Sequence, residues 1–147
     1  MKRICCLVVL VFVSMMLISC NSYEDTNGLD NYTLQTITDD NIIDGMNCSE
    51  MMSSHTYINN KYKDSIKKLN GVKELNSFNK PFKIVLDFEV NNGNTKLVLC
   101  TDNEIIHVFD VNKNEQEFVS NLNEKVYLKV AGEDLGFKLE YEIFYLD

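Results

Sequence analysis

The sequence predicts an all-β domain, an antiparallel β-sandwich or open barrel with one short helix before the strands. Three observations support this prediction. From residue 82 onward apolar and polar residues alternate with period two, clusters of Asn, Asp and Gly separate the alternating runs, and no helix-length pattern interrupts them. The length of 147 residues, with one Pro and six Gly, suits one globular domain rather than two.

Residues 48–81 are the ambiguous part of the domain. Tyr62, Ile66, Leu69 and Val72 are spaced by four, three and three residues, which favours a short helix of two or three turns that ends near Asn70-Gly71. The same stretch, together with residues 56–58, could instead supply the first strands of the sandwich.

The clearest strand runs from Phe82 to Val90, because five apolar residues alternate with the others: Phe82, Ile84, Leu86, Phe88 and Val90. We expect this strand to be central, with its apolar face buried against the closing strand at residues 135–141. The sequence Asn91-Asn92-Gly93-Asn94 predicts a turn at its end.

The remaining strands follow in order. A two-residue turn at Asp102-Asn103 joins residues 95–101 and 104–111 into a hairpin. This pairing places Cys100 opposite Ile105 and His107 opposite Val98. Residues 117–120 form a short candidate strand, and residues 125–131 and 135–146 alternate as two further strands.

The first residues of the chain have the layout of a secretory signal. Met1-Lys2-Arg3 is basic, and residues 4–18 carry no charge. Fifteen helical residues span roughly 22 Å, which is shorter than the roughly 30 Å hydrocarbon core of a bilayer. A removed signal is therefore favoured over a permanent membrane span.

The end of this run, Leu17-Ile18-Ser19-Cys20, resembles the lipobox of bacterial lipoproteins at all four positions. The resemblance implies that residues 1–19 are a lipoprotein signal peptide. It also implies that Cys20 becomes the first residue of the mature chain and carries a diacylglycerol, with a further acyl group such as palmitate on its amino group. The partner at this end would be a membrane, and the protein would lie in the bacterial cell envelope, facing outward from the cytoplasm.

The region after the lipobox predicts a linker. Residues 20–47 contain six acidic residues and no Lys or Arg, and such a composition is typical of a flexible tether. The predicted organisation is therefore a signal at 1–19, a lipid-anchored acidic linker at 20–47 and a β-sandwich domain at 48–147. Residues 80–147 are also similar to small uncharacterised β-sandwich lipoproteins, in which a Gly-rich turn, here residues 131–136, leads into a closing alternating strand.

Composition and motifs exclude several function classes. The formal charge of −8 and the lack of a basic run argue against a nucleic-acid partner. The chain has no glycine-rich phosphate loop, no Gly-x-Ser-x-Gly, no Cys-x-x-Cys and no His-x-His, so no cofactor and no metal site is predicted.

The remaining candidates are few. Cys48 and Cys100 are expected either to form a disulfide or to remain separate thiols. An enzyme would require a nucleophile and a base, for which Cys100 and His107 are diagonal neighbours in the predicted hairpin, but no third residue orients the imidazole. A carbohydrate-binding module would use exposed aromatic side chains, for which the candidates are Tyr57, Tyr62, Tyr127 and Phe144. The favoured function is a noncatalytic envelope module whose partner is another protein.

Overall fold

Three strands of 18 to 20 residues dominate the architecture. The computed structural model describes residues 32–146, in which six antiparallel strands form one sheet that is not closed, in the order β1-β2-β6-β3-β4, with β5 also paired to β3. This confirms the predicted all-β antiparallel class. The elements are α1 (Asp39–Asp44), β1 (Ser49–Ile58), β2 (Lys61–Phe78), β3 (Phe82–Cys100), β4 (Ile105–Phe109), β5 (Lys113–Ser120) and β6 (Val126–Tyr145).

The long strands bend in the middle, and the sheet folds over itself there. β3 shifts register against β6 between Val90 and Asn94, and β2 shifts against β6 between Ile66 and Gly71. Gly93 and Gly71 both have positive φ, at 85° and 110°, which a glycine adopts without strain. The predicted turn at 91–94 is therefore wrong: the chain bends and continues as one strand. The two strands predicted at 125–131 and 135–146 are likewise one strand, Val126–Tyr145.

The bend divides the sheet into two layers. The first layer contains β1, β5, residues 61–66 of β2, 82–90 of β3 and 137–145 of β6; the second contains β4, residues 71–78 of β2, 94–100 of β3 and 126–133 of β6. Contacts across the layers show that their inner faces meet. The rings of Phe78 and Phe82 lie 4.3 Å apart, and the Asn76 side chain donates a hydrogen bond to the Tyr141 hydroxyl at 3.4 Å.

One apolar core fills the space between the layers. Both layers contribute fully buried side chains to it, among them Ile84, Leu86, Phe88, Leu97, Leu99, Leu128, Phe137 and Leu139. The predicted apolar face of β3 is therefore buried, and β3 lies inside the sheet. The closing strand pairs directly beside it, with Phe88 opposite Leu139 and Leu86 opposite Tyr141, so the two apolar rows share one face.

The helix predicted over residues 62–72 is wrong, because these residues lie in β2 and pair with both β1 and β6. The spacing of Tyr62, Ile66 and Leu69 departs from period two because of the bulges between Ile66 and Leu69 and between Leu69 and Gly71. The alternative, in which this stretch supplies the first strands, is correct. The helix of the described chain is α1, which begins after a capping box between Thr38 and Asn41.

We call residues 32–47 the N-terminal strap, because residues 34–42 dock on the outer face of the second layer. Ile42 is completely buried and Ile37 is 7% exposed, in a small cluster with Val98, Cys100 and other outer-face residues. The prediction of a flexible linker is therefore wrong for this part of the chain. Two isoleucines supply the apolar contacts that acidic composition alone did not suggest. Residues 20–31 lie outside the described residues.

Polar contacts hold both ends of the strap. The Glu133 carboxylate accepts hydrogen bonds from the backbone N–H of Gln35 at 3.0 Å and from the Thr36 backbone and hydroxyl at 2.6 Å. These bonds lower the pKa of Glu133 to about 2. The buried Lys129 donates to the carbonyl oxygens of Ile42 and Ile43, which satisfies carbonyls at the end of α1.

Candidate functional site

The edge strand β1 is the most exposed regular element of the described chain. All ten of its residues are exposed, and only Glu50 carries a formal charge. Apolar side chains remain in solvent along its length, with Met51, Met52, Tyr57 and Ile58 each 58–67% exposed. Within residues 32–146, one side of β1 pairs with β2 and no strand pairs with the other side.

The alternation of β1 determines which of its side chains face the interior. Ser53, His55 and Tyr57 lie opposite Ile66, Asp64 and Tyr62 of β2, so they share the inner face of the first layer. Ser54, Thr56 and Ile58 therefore point to the outer face. A tight turn at Asn59-Asn60, both with positive φ, connects β1 to β2 and sets this register.

Three tyrosines form a row across neighbouring strands on this inner face. The ring centroids of Tyr57 and Tyr62 are 4.6 Å apart with planes inclined by 31°, and those of Tyr62 and Tyr141 are 4.6 Å apart and nearly parallel. Burial raises the pKa of both Tyr62 and Tyr141, so both phenols stay neutral at physiological pH. The row becomes more exposed toward the edge strand, because Tyr141 is buried and Tyr57 is exposed.

A histidine–aspartate pair lies beside the row. His55 Nδ1 and Asp64 Oδ1 are 2.5 Å apart, and the two side chains differ in exposure, 45% for His55 and 10% for Asp64. Farther along β1, Lys73 of the second layer forms an ion pair with Glu50, which connects the two layers and lowers the pKa of Glu50. The side chains of His55, Asp64, Glu50 and Lys73 therefore place polar groups along the edge of the apolar core.

The tyrosine row and the histidine–aspartate pair line a common groove of about 220 Å³ between the layers. We call it the tyrosine groove, and its lining residues are His55, Thr56, Tyr57, Tyr62, Asp64, Leu75 and Tyr141. The groove combines aromatic rings with hydrogen-bonding groups, which is the composition of a site for a small polar ligand.

Only part of the predicted aromatic set comes together. Tyr57 and Tyr62 are neighbours, whereas Phe144 points to the opposite face of β6 and Tyr127 lies near Lys125 and Lys129 at the start of that strand. Tyr141, His55 and Asp64 were not predicted as site residues. The Asn59-Asn60 pair was the signal that could have found them, because an Asn-rich two-residue turn predicts a hairpin that places Tyr57 opposite Tyr62 and His55 opposite Asp64.

The Cys48–Cys100 disulfide is not formed, since both cysteines are free thiols. Cys48 lies beside Gly71, and Gly71 pairs with Gly132 of β6. Cys100 pairs with Tyr127, which is five residues away from Gly132 along β6. Five residues of strand span roughly 17 Å, far beyond the Cα separation that a disulfide bridges. Cys100 is buried under the strap, and burial raises the pKa of its thiol.

The Cys100–His107 pair does not come together. The predicted match of Cys100 with Ile105 is correct, but a bulge follows, so that His107 lies opposite Leu99 instead of Val98. Leu99 faces the main core and Cys100 faces the strap, which puts the thiol and the imidazole on opposite sides of the sheet. His107 stacks on Phe118 at 4.5 Å, and burial lowers its pKa.

The predicted lipidation residue, Cys20, lies outside the described residues. Within residues 32–146, no helix is long and apolar enough to cross a membrane. In the same part of the chain, no three His, Cys, Asp or Glu side chains are grouped to hold a metal ion. Comparison with protein-family models, with curated proteins and with solved structures finds no match to this chain.

Proposed function

We propose that this chain is a lipid-anchored envelope protein that acts without catalysis, by binding an extended segment of a partner protein along β1. The observation that carries the proposal is the exposed, almost uncharged outer edge of that strand. An edge strand presents a row of backbone N–H and C=O groups, and another chain satisfies them by adding a strand.

The other edge of the sheet supports this choice by contrast. β4 has only five residues, and β5 carries Lys113, Glu115 and Glu117, so both have features that oppose strand addition. β1, in contrast, has ten residues, of which only Glu50 carries a formal charge. Its exposed methionines add adaptable apolar contacts for a bound strand.

Net charge favours a partner protein over a second copy of this chain. The formal charge of −8 makes two copies repel each other, whereas a neutral or basic segment meets no such penalty. We therefore infer a partner segment with few acidic residues and alternating apolar side chains.

The anchor in this proposal is the lipid on Cys20, which is supported by the basic start, the uncharged run and the Leu17-Ile18-Ser19-Cys20 motif. Eleven residues lie between Cys20 and the first described residue, Tyr32, so even a fully extended chain of twelve steps places the body within roughly 40 Å of the membrane. A partner would therefore be bound close to the bilayer surface.

Cross-linking in intact bacteria tests the partner site. A photo-activatable residue is placed at Thr56 on β1 and, as a matched control, at Val119 on β5, which is 45% exposed at the other edge. We expect one identified envelope protein to be cross-linked at position 56 but not at 119. We also expect Ser54→Lys to weaken that adduct, because it places a charge on the edge. Equal adducts at both positions, or adducts only with a second copy, would contradict the proposal.

Metabolic acyl labelling tests the anchor. Cys20→Ser should abolish incorporation of a labelled fatty acid, because a hydroxyl does not replace the sulfur in thioether formation. Cys48→Ser is the matched control, since Cys48 is exposed but lies outside the motif. Label retained in Cys20→Ser, or lost equally in both variants, would show that Cys20 is not the lipidated residue.

A further inference from the structure

The geometry points to the tyrosine groove as a binding site for one ring of a neutral sugar. This inference is independent of the partner-binding edge, because it concerns the inner face of β1 and not its outer edge or outer face. The groove holds only a small ligand, since its volume of about 220 Å³ is below the range of sites for drug-sized molecules.

Tyr57 provides the stacking surface. Its ring rests on Tyr62, which rests in turn on the buried Tyr141, so the row is supported from the core outward. Tyr57 is 60% exposed and lies at the outer end of the row, on the exposed edge strand. The C–H groups of a pyranose ring pack on such an aromatic face, and a ring already held in place loses little freedom on binding.

Asp64 and His55 provide hydrogen bonds for sugar hydroxyls. Asp64 uses Oδ1 to contact His55 Nδ1, so its Oδ2 is not engaged in this contact, and His55 is 45% exposed; both residues line the groove. Because Nδ1–H of His55 donates to the Asp64 carboxylate, Nε2 of the neutral imidazole accepts, and two adjacent sugar hydroxyls can donate to these two acceptors. Thr56 and Leu75 complete the lining.

The charge of the groove selects against acidic sugars. Asp64 is almost buried and lies beside neutral phenols, so an additional carboxylate in the ligand would meet its charge at short range. The preferred ligand is therefore a neutral hexose or N-acetylhexosamine, free or at the end of a glycan.

Glycan binding by the full chain tests this inference. The protein is purified in a detergent without a sugar head group, and methyl glycosides of glucose, galactose, mannose and N-acetylglucosamine are titrated up to about 10 mM, followed by NMR of the tyrosine ring signals. We expect saturable binding of at least one neutral glycoside. Glucuronic acid should bind at least about tenfold more weakly, because it brings a carboxylate.

Variants locate the site. Tyr57→Ala should weaken binding by about tenfold or more, Tyr57→Phe should retain it, and Asp64→Asn should weaken it through loss of the charged acceptor. Phe144→Ala is the matched control, because Phe144 is a 45% exposed aromatic residue on the opposite face. Ser54→Lys, on the outer face and outside the groove lining, should leave binding unchanged.

Three results would overturn the inference. They are no saturation by any of the four glycosides, equal losses in Tyr57→Ala and Phe144→Ala, and binding of glucuronic acid as tight as that of the neutral glycosides. The Tyr57→Phe variant keeps the test decisive if Tyr57→Ala proves unstable, because a platform role predicts that this variant binds as the parent does. Failure here would leave the partner-binding proposal intact, since that proposal is tested at Thr56 and Ser54.

Discussion

Removing the Ile42 side chain should release the strap and expose Cys100. Ile42 is completely buried in the cluster that covers this thiol. Replacing it with Ala removes three carbon atoms, which corresponds to roughly 2.4 kcal/mol of lost burial at about 0.8 kcal/mol each, before any cavity cost. If strap opening precedes modification of the thiol, this free energy raises the labelling rate about 50-fold.

The assay uses a chain that begins at Asn21 and carries Cys48→Ser, in which Cys100 is the sole cysteine. Labelling by a thiol reagent is followed under native conditions for the parent, for Ile42→Ala and for Asp40→Ala, an exposed position of the same helix. We expect acceleration only in Ile42→Ala. Equal rates in all three proteins, with an unchanged melting temperature, would refute the conclusion that the strap protects Cys100.

Three further predictions concern the body of the protein. Leu86→Ala should cost about 2 to 5 kcal/mol of unfolding free energy in denaturant melts, because the side chain is fully buried. Lys83→Ala, on the other face of the same strand, should cost about 0.5 kcal/mol. Similar small losses in both variants would refute the core assignment. Glu133 has a lowered pKa, so its contribution to strap docking is complete above about pH 4.5 and is lost as the pH falls toward 2. Amide exchange of the strap should become faster over this pH range. Glu133→Gln should abolish this pH dependence. Gly71→Ala should cost more than about 1 kcal/mol, because the added Cβ would overlap the Asn47 backbone, and Gly45→Ala, with positive φ but open space around it, should cost less in the same melts.

Period-two alternation made much of the sheet predictable from the sequence. The run from Phe82 to Val90 and the Asp102-Asn103 hairpin follow from local pattern and turn chemistry, and the structure has both. The positions where prediction failed are those where a strand bends. A glycine-containing Asn cluster at residues 91–94 has the composition of a turn, and only its neighbours across the sheet determine that the strand continues.

The strap and the groove depended on long-range contacts that no local pattern encodes. The acidic residues around Ile42 resemble a solvated tether in composition, but Asp39 pairs with Lys96 and the isoleucine fits a pocket built by distant strands. Tyr141 joins Tyr57 and Tyr62 only because β6 pairs with β2, a register that the sequence did not specify. A single apolar residue in a polar stretch can therefore anchor a segment, although the average composition of that stretch does not indicate it.

The shared long strands have a consequence for how the chain folds and unfolds. β2, β3 and β6 each pass through both layers, so neither layer can separate without breaking strands that the other also needs. The central β3–β6 ladder joins residues as far apart in sequence as Phe82 and Tyr145, which makes the topology rich in non-local contacts. Folding on the millisecond-to-second timescale is expected for such a contact order, and unfolding should be a single cooperative event, with core amides of both layers exchanging at one common free energy.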